Sequence, residues 1–264
     1  MSLVLPVVIG VAVGIVVGAL GAGGGILAVP VLVHLLGQEP HDAATGSLVL
    51  VILTALTALP ARARAHDVRW RDGLVFGVLS ILGSVVGSRL SVRVDPTVLM
   101  AAFTVLLVGV GIAMLRHHGT VDVADPPQSA ADPAASTAVH HASFAAVAGA
   151  ATAAGLLTGF FGVGGGFAVV PALTLVLGIG MRTASGTSLL VMMLSAGAAL
   201  GARWDTIAHV DWPIPLLFAG ASMVGGLLGT RASRRAEPEI LSRAFGVLLL
   251  LVALGNGTAT LLGR

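Results

Sequence analysis

Two clusters of consecutive glycines, Gly23, Gly24 and Gly25 and then Gly164, Gly165 and Gly166, interrupt long apolar runs. Glycine is the poorest helix former after proline, so each cluster is expected to break one helix and start another, near Ile26 and Phe167. The first turn of a helix carries backbone N–H groups that its own turns cannot satisfy. In a membrane each such donor costs several kcal/mol unless something meets it. An anion suits the position, because the positive end of the helix dipole points at it. The chemistry these residues suggest is a cradle of two opposed half-helix N-termini near the bilayer midplane. Close helix packing is the competing reading for membrane glycines, and it is the one adopted for Gly83, Gly87, Gly225 and Gly229.

Four hydroxyls are the next candidates: Thr45, Ser47, Thr187 and Ser188. They follow the glycine clusters in the matching segments "TGSLVL" and "GTSLLV" and could donate to a sulfonate or carboxylate oxygen. Bonding back to helix carbonyls is their alternative role. Asp42 and Thr183 stand where the N-caps of the following helices are expected, which leaves the hydroxyls within the early turns.

Other chemistry finds little support. The chain has no Cys, and none of its 14 cationic residues is Lys. Thiol chemistry and a Walker-type phosphate loop are thereby excluded, and "GAGGG" follows no strand that would make it a dinucleotide fingerprint. All 12 carboxylates fall in loops or at span ends, so no buried acid offers a proton relay. His34 lies inside an apolar run and is read as packed or interface-facing, with proton carriage as the second reading; the pairs His117–His118 and His140–His141 are read as solvated, with a metal site as the second reading. No nucleophile–base pair or metal-ligand cluster stands in the spans, so no enzyme, metal or cofactor is expected. Arg89 and Arg231 are read as snorkelling at span ends. Arg182 and Arg203 get the same reading first, with charge at a vestibule as the second. Trp70 and Trp212 are read as interfacial anchors.

The elements that would position these residues follow from composition. The chain is 56% hydrophobic and 10% charged, and its apolar stretches have membrane-spanning length. They run over 3–37, 43–61, 73–91 and 96–115, then over 143–181, 183–202, 213–231 and 240–262. Between the sets lies a Pro-, Ala- and Asp-rich segment, 116–142, read as a flexible cytoplasmic linker. The second set repeats the first. "GALGAGGGILAVPVLVHLLG" returns as "GFFGVGGGFAVVPALTLVLG" at an offset of 141, and "VRWRDGLVFGVLSILGSVVGSRLS" as "VDWPIPLLFAGASMVGGLLGTRAS" at 142.

Residues 3–37 as one helix would measure about 50 Å, against a hydrocarbon core of about 30 Å. The glycines are expected to fold the segment into a hairpin of two short helices that enters and leaves on one side. Three full spans then follow, so each half crosses an odd number of times and the halves are inverted. With the N-terminus outside, inside segments carry 9 arginines and outside segments 4, against 7 and 6 in a parallel arrangement, so the positive-inside rule favours inversion. The expected protein is all-α and polytopic: two inverted repeats, 1–115 and 143–264, each a Gly-broken hairpin plus three transmembrane helices.

Gly-rich break, proline, "TGS" or "GTS", then a Trp-containing entry to a span ending in "GSRLS" or "GTRAS": this doubled pattern resembles the sulfite exporter TauE/SafE family, also called the toluene sulfonate uptake permeases. The resemblance covers nearly all of the chain except the linker. It implies a multi-pass permease of the bacterial inner membrane for small anions such as sulfite, sulfonates or sulfoacetate, working as an exporter. The expected partners are a small anionic substrate and the lipid bilayer, with no nucleic acid, and the oligomeric state is left open. An anion channel and a non-transporting membrane scaffold are the alternatives.

Overall fold

The computed structural model describes residues 4–20, 25–116, 144–207, 210, 212–233 and 238–261. Its regular elements are helices. In the first half, α1 (Val4–Leu20) and α2 (Gly25–Pro30) flank the glycine cluster, and α2 continues into a π-helical turn, Val31–Leu35. Then come α3 (Pro40–Arg64), α4 (Trp70–Ser91) and α5 (Pro96–Arg116). The second half repeats the order with α6 (Phe144–Phe161), α7 (Gly166–Leu177), α8 (Met181–Ala202), a short α9 (Trp204–Ile207), α10 (Pro213–Ser233) and α11 (Pro238–Leu261). Among the described residues, five helices are long and apolar enough to cross a membrane: α3, α4, α6, α8 and Pro96–Ala113 within α5. This is the composition of a polytopic membrane protein. The linker, beyond Arg116, and both histidine pairs lie outside the described residues.

The glycine-broken segments have unequal arms. α1 has 17 residues and α6 has 18, about 26 Å each at 1.5 Å per residue. α7 has only 12. Both arms were expected to be short; only the returning arm is, and α6 alone is long enough to cross. The helix starts bring a second correction. α3 begins at Pro40 after Glu39, and α8 at Met181 after Gly180, neither with a side-chain cap. Asp42 and Thr183 therefore sit inside the first turn and not at the N-cap position. Proline's fixed φ and missing N–H suit the first helical turn, which moves the start of α3 back to Pro40.

Lipid gives apolar helices no reason to prefer one another, so small residues and close backbone approach must hold such a bundle together. α1 packs along α10, and α6 along α4. A Cβ on Gly14 would strike the Ser222 backbone, and one on Gly155 the Ser80 backbone. Gly18 stands likewise against Gly226 and Gly159 against Ser84, and Gly225 against the Val11 carbonyl as Gly83 stands against that of Thr152. Each contact is its counterpart shifted by 141 or 142 residues, so each half lends its first helix to the other half, α1 to α10 and α6 to α4.

Residue numbers rise together along both pairs, so paired helices run the same way. α3 and α8 run oppositely. Thr45, early in α3, meets Arg203 just past α8, while Thr187, early in α8, meets the backbone of Arg69 just past α3.

Candidate functional site

The second break shows how the sequence builds its site. Gly164 and Gly165 have φ of 69° and 71°, a left-handed conformation that glycine adopts without steric cost. A Cβ would also have no room: at Gly164 it would meet the Val51 side chain, and at Gly165 the Thr158 hydroxyl. α6 stops at Phe161, so its last carbonyls lack helical partners. The Gly162 N–H takes the Thr158 carbonyl at 3.0 Å. Arg203 Nη2 takes the Gly159 carbonyl at 2.8 Å. The Ser47 hydroxyl, from α3, reaches the Gly162 carbonyl.

Arg203 is 1% exposed. Its Nε donates to Ser88 Oγ at 2.8 Å and its Nη1 to Thr45 Oγ1 at 3.2 Å. Three helices, α3, α4 and α6, thus converge on one guanidinium. Ser88 commits its own proton to the Ala199 carbonyl at 2.9 Å, and Thr45 commits its proton to the His41 carbonyl at 2.9 Å. Both hydroxyls therefore present lone pairs to the arginine. All three acceptors are neutral, and among the described residues the ion pairs within 4.0 Å join other arginines to carboxylates. A buried charge without an opposite charge is costly, and buried cations are normally paired. Thr45 is the sixth residue of α3 and Ser88 lies three residues before the end of α4. The guanidinium thus sits about 5 to 8 Å inside that end of the bundle.

The first break meets the second. Gly25 opens α2 as Gly166 opens α7, and a Cβ on Gly25 would strike the carbonyl of Val163. Gly23 and Gly24 lie outside the described residues. A family model described as sulfite exporter TauE/SafE matches residues 6–255.

The chain belongs to that family. A probable membrane transporter protein of Xylella fastidiosa is 34% identical over 256 residues, covering 96% of this chain and 94% of its own. One of Bacillus subtilis is 27% identical, covering 96% of both chains, and one of Methanocaldococcus jannaschii is 24% identical with the same coverage. No solved structure matches.

In this TauE/SafE chain the expected site residues divide between two places. Thr45, Ser47, Gly164, Gly165 and Gly166 gather at the second break. Thr187 and Ser188 lie at the opposite end of α3 and α8. There the Thr187 hydroxyl accepts from the Arg69 N–H at 3.0 Å, and the Ser188 hydroxyl bonds back to the Ser185 carbonyl at 2.9 Å. That end has its own buried arginine. Arg62 is 3% exposed, with Nη1 3.9 Å from Asp67 Oδ2. It precedes Arg203 by 141 residues, the offset that relates the glycine clusters. Sequence reasoning missed Arg62 and gave Arg203 a secondary role; their shared offset is the signal that finds them.

A further polar cluster joins α11 to α5 and the π turn. Asn256, 1% exposed, donates through Nδ2 to the Met100 carbonyl at 3.1 Å and to Thr104 Oγ1 at 2.7 Å. Its Oδ1 stands 2.8 Å from His34 Nε2. With both amide protons committed, Oδ1 must accept, which places the proton on His34 Nε2.

Proposed function

We propose that this chain moves small sulfur-containing or organic anions, such as sulfite, sulfonates or sulfoacetate, across a bacterial inner membrane. It works by alternating access between two inverted repeats, with the anion passing the glycine breaks near the midplane. The observation that carries the reading is the meeting of the two breaks, Gly25 against Val163, at the junction of the halves. Helix N-termini that converge there offer amide donors to an anion. The antiparallel course of α3 and α8, which are repeat equivalents, supports inversion. The charge of Arg203, compensated only by neutral oxygens, favours an anion over a cation or a neutral solute.

The direction proposed is export. An inside-negative potential expels anions with about 2.3 kcal/mol per charge per 100 mV, so export needs no coupling carboxylate. The test is uptake of radiolabelled sulfite, sulfoacetate and taurine by proteoliposomes under an imposed potential. Saturable flux that follows the potential is expected. Single-channel current would favour the channel reading, and absence of flux for every anion would favour a scaffold.

A further inference from the structure

The Arg203 end of the bundle holds polar groups that the fold leaves unused. A guanidinium has five N–H donors, and Arg203 spends three on Ser88, Thr45 and Gly159. One helical turn further toward that end, on the same two helices, stand two buried polar atoms with no hydrogen-bond partner: Ser91 Oγ and His41 Nδ1. Ser91 follows Ser88 by three residues on α4, and His41 precedes Thr45 by four on α3. Residues three and four apart share a helix face, and the bond from the Thr45 hydroxyl to the His41 carbonyl joins that turn directly. The two residues that grip the arginine are therefore each followed, toward the end of the bundle, by a side chain with an idle polar atom.

Ser91 is fully buried at 0% exposure. A hydroxyl in that position without a partner carries a desolvation penalty, and such groups call for an explanation. Here the unpartnered hydroxyl and the unpartnered ring nitrogen lie one turn outward from the two residues that grip Arg203, whose charge meets only neutral acceptors. A compact oxyanion would satisfy all of them at once, accepting from the guanidinium, from the Ser91 hydroxyl and from an Nδ1–H of His41. Charge-assisted hydrogen bonds of that kind are the strong ones.

We infer that Arg203, Ser91 and His41 form an oxyanion-binding station at this end of the bundle, outward from the second glycine break, to which Arg203 is tied through the Gly159 carbonyl. The inference rests on the reading of the chain as an anion transporter. The station is the stop between the breaks and the water at that face. The opposite end is built differently: the equivalent arginine, Arg62, has the Asp67 carboxylate 3.9 Å away. An anion arriving there competes with a tethered one.

The test is sulfite binding by the purified full chain, followed by calorimetry, together with sulfite flux in proteoliposomes. Ser91→Ala and His41→Phe are the variants, because neither removes a hydrogen bond from the protein alone. Each is expected to weaken sulfite binding about tenfold while the melting temperature without sulfite stays the same or rises. Wild-type affinity in both variants, with saturable flux in the wild type, overturns the station and leaves the transporter reading standing. A wild-type protein that neither binds nor moves sulfite, sulfoacetate or taurine overturns both.

Discussion

Arg203 and Thr45 lie 158 residues apart in the chain and 3.2 Å apart in space, guanidinium to hydroxyl. The bond has a fixed sense. The proton of Thr45 is already given to the His41 carbonyl, so the hydroxyl can only accept. It ties the first turns of α3 to the end of α8, and through Arg203 to the Gly159 carbonyl beside the second break. A change at any one of these residues is felt at the break.

Thr45→Val keeps the volume of the side chain and removes the acceptor. One N–H of a buried guanidinium then has no partner, which costs about 1 to 3 kcal/mol in soluble proteins and nearer 1 kcal/mol in membrane bundles. A lowered melting temperature in detergent and slower sulfite flux are expected. Thr45→Ser retains the acceptor and should behave as wild type in both assays.

Arg203→Leu removes the charge and takes the donor away from the Gly159 carbonyl and from one lone pair each of Ser88 and Thr45. Arg203→Lys keeps the charge but has no planar fork to reach three helices together. Leu is expected to abolish flux and reduce accumulation in the membrane. Lys is expected to insert normally and to lose more than about tenfold in sulfite affinity, as fewer charge-assisted bonds remain. Normal flux in the Leu variant would remove the arginine from any role in transport.

The breaks, the repeat and the small-residue packing were legible in the sequence because glycine and proline punctuate a helix through their own backbones. Gly25 and Gly166 open helices within one residue of where the runs of glycine placed them. Gly83, Gly87 and Gly225, read as packing residues, do stand against carbonyls of Thr152, Leu156 and Val11. The burial of Arg203 was not legible. An arginine at a span end ordinarily snorkels, as Arg89 does in reaching Asp205 at 3.5 Å. Whether it turns inward depends on acceptors from α3, α4 and α6 that only the packing brings together. The π turn after Pro30 was equally hidden, since Pro171 occupies the matching place in a regular α7.

The reciprocal contacts of α1 with α10 and α6 with α4 predict matched behaviour of equivalent glycines. Gly83→Ala and Gly225→Ala each force a Cβ into a carbonyl across the interface, and both should lower the melting temperature substantially. Gly197→Ala and Gly220→Ala put a Cβ where nothing lies within 4 Å. Within a helix that exchange is worth about 0.5 to 1 kcal/mol in favour of alanine, so these two should be neutral or slightly stabilising. Unequal effects of Gly83→Ala and Gly225→Ala would contradict the equivalence of the two interfaces.

Inversion of the repeats predicts which loops face which side. The chain contains no cysteine, so single cysteines can be placed without a background. Arg64→Cys marks the end of α3 and Trp204→Cys the region just past α8, and both side chains are exposed. In inverted repeats these equivalent ends lie on opposite faces; in parallel repeats they share one. Labelling of intact cells with a membrane-impermeant maleimide should therefore modify Trp204→Cys and Glu39→Cys but leave Arg64→Cys and Arg231→Cys protected until the membrane is opened. The positive-inside pattern gives the same assignment, with Arg62, Arg64, Arg69 and Arg71 clustered around the α3–α4 connection. Labelling of Arg64→Cys and Trp204→Cys from one side would make the halves parallel, and an alternating-access scheme built on their exchange would fall with that result.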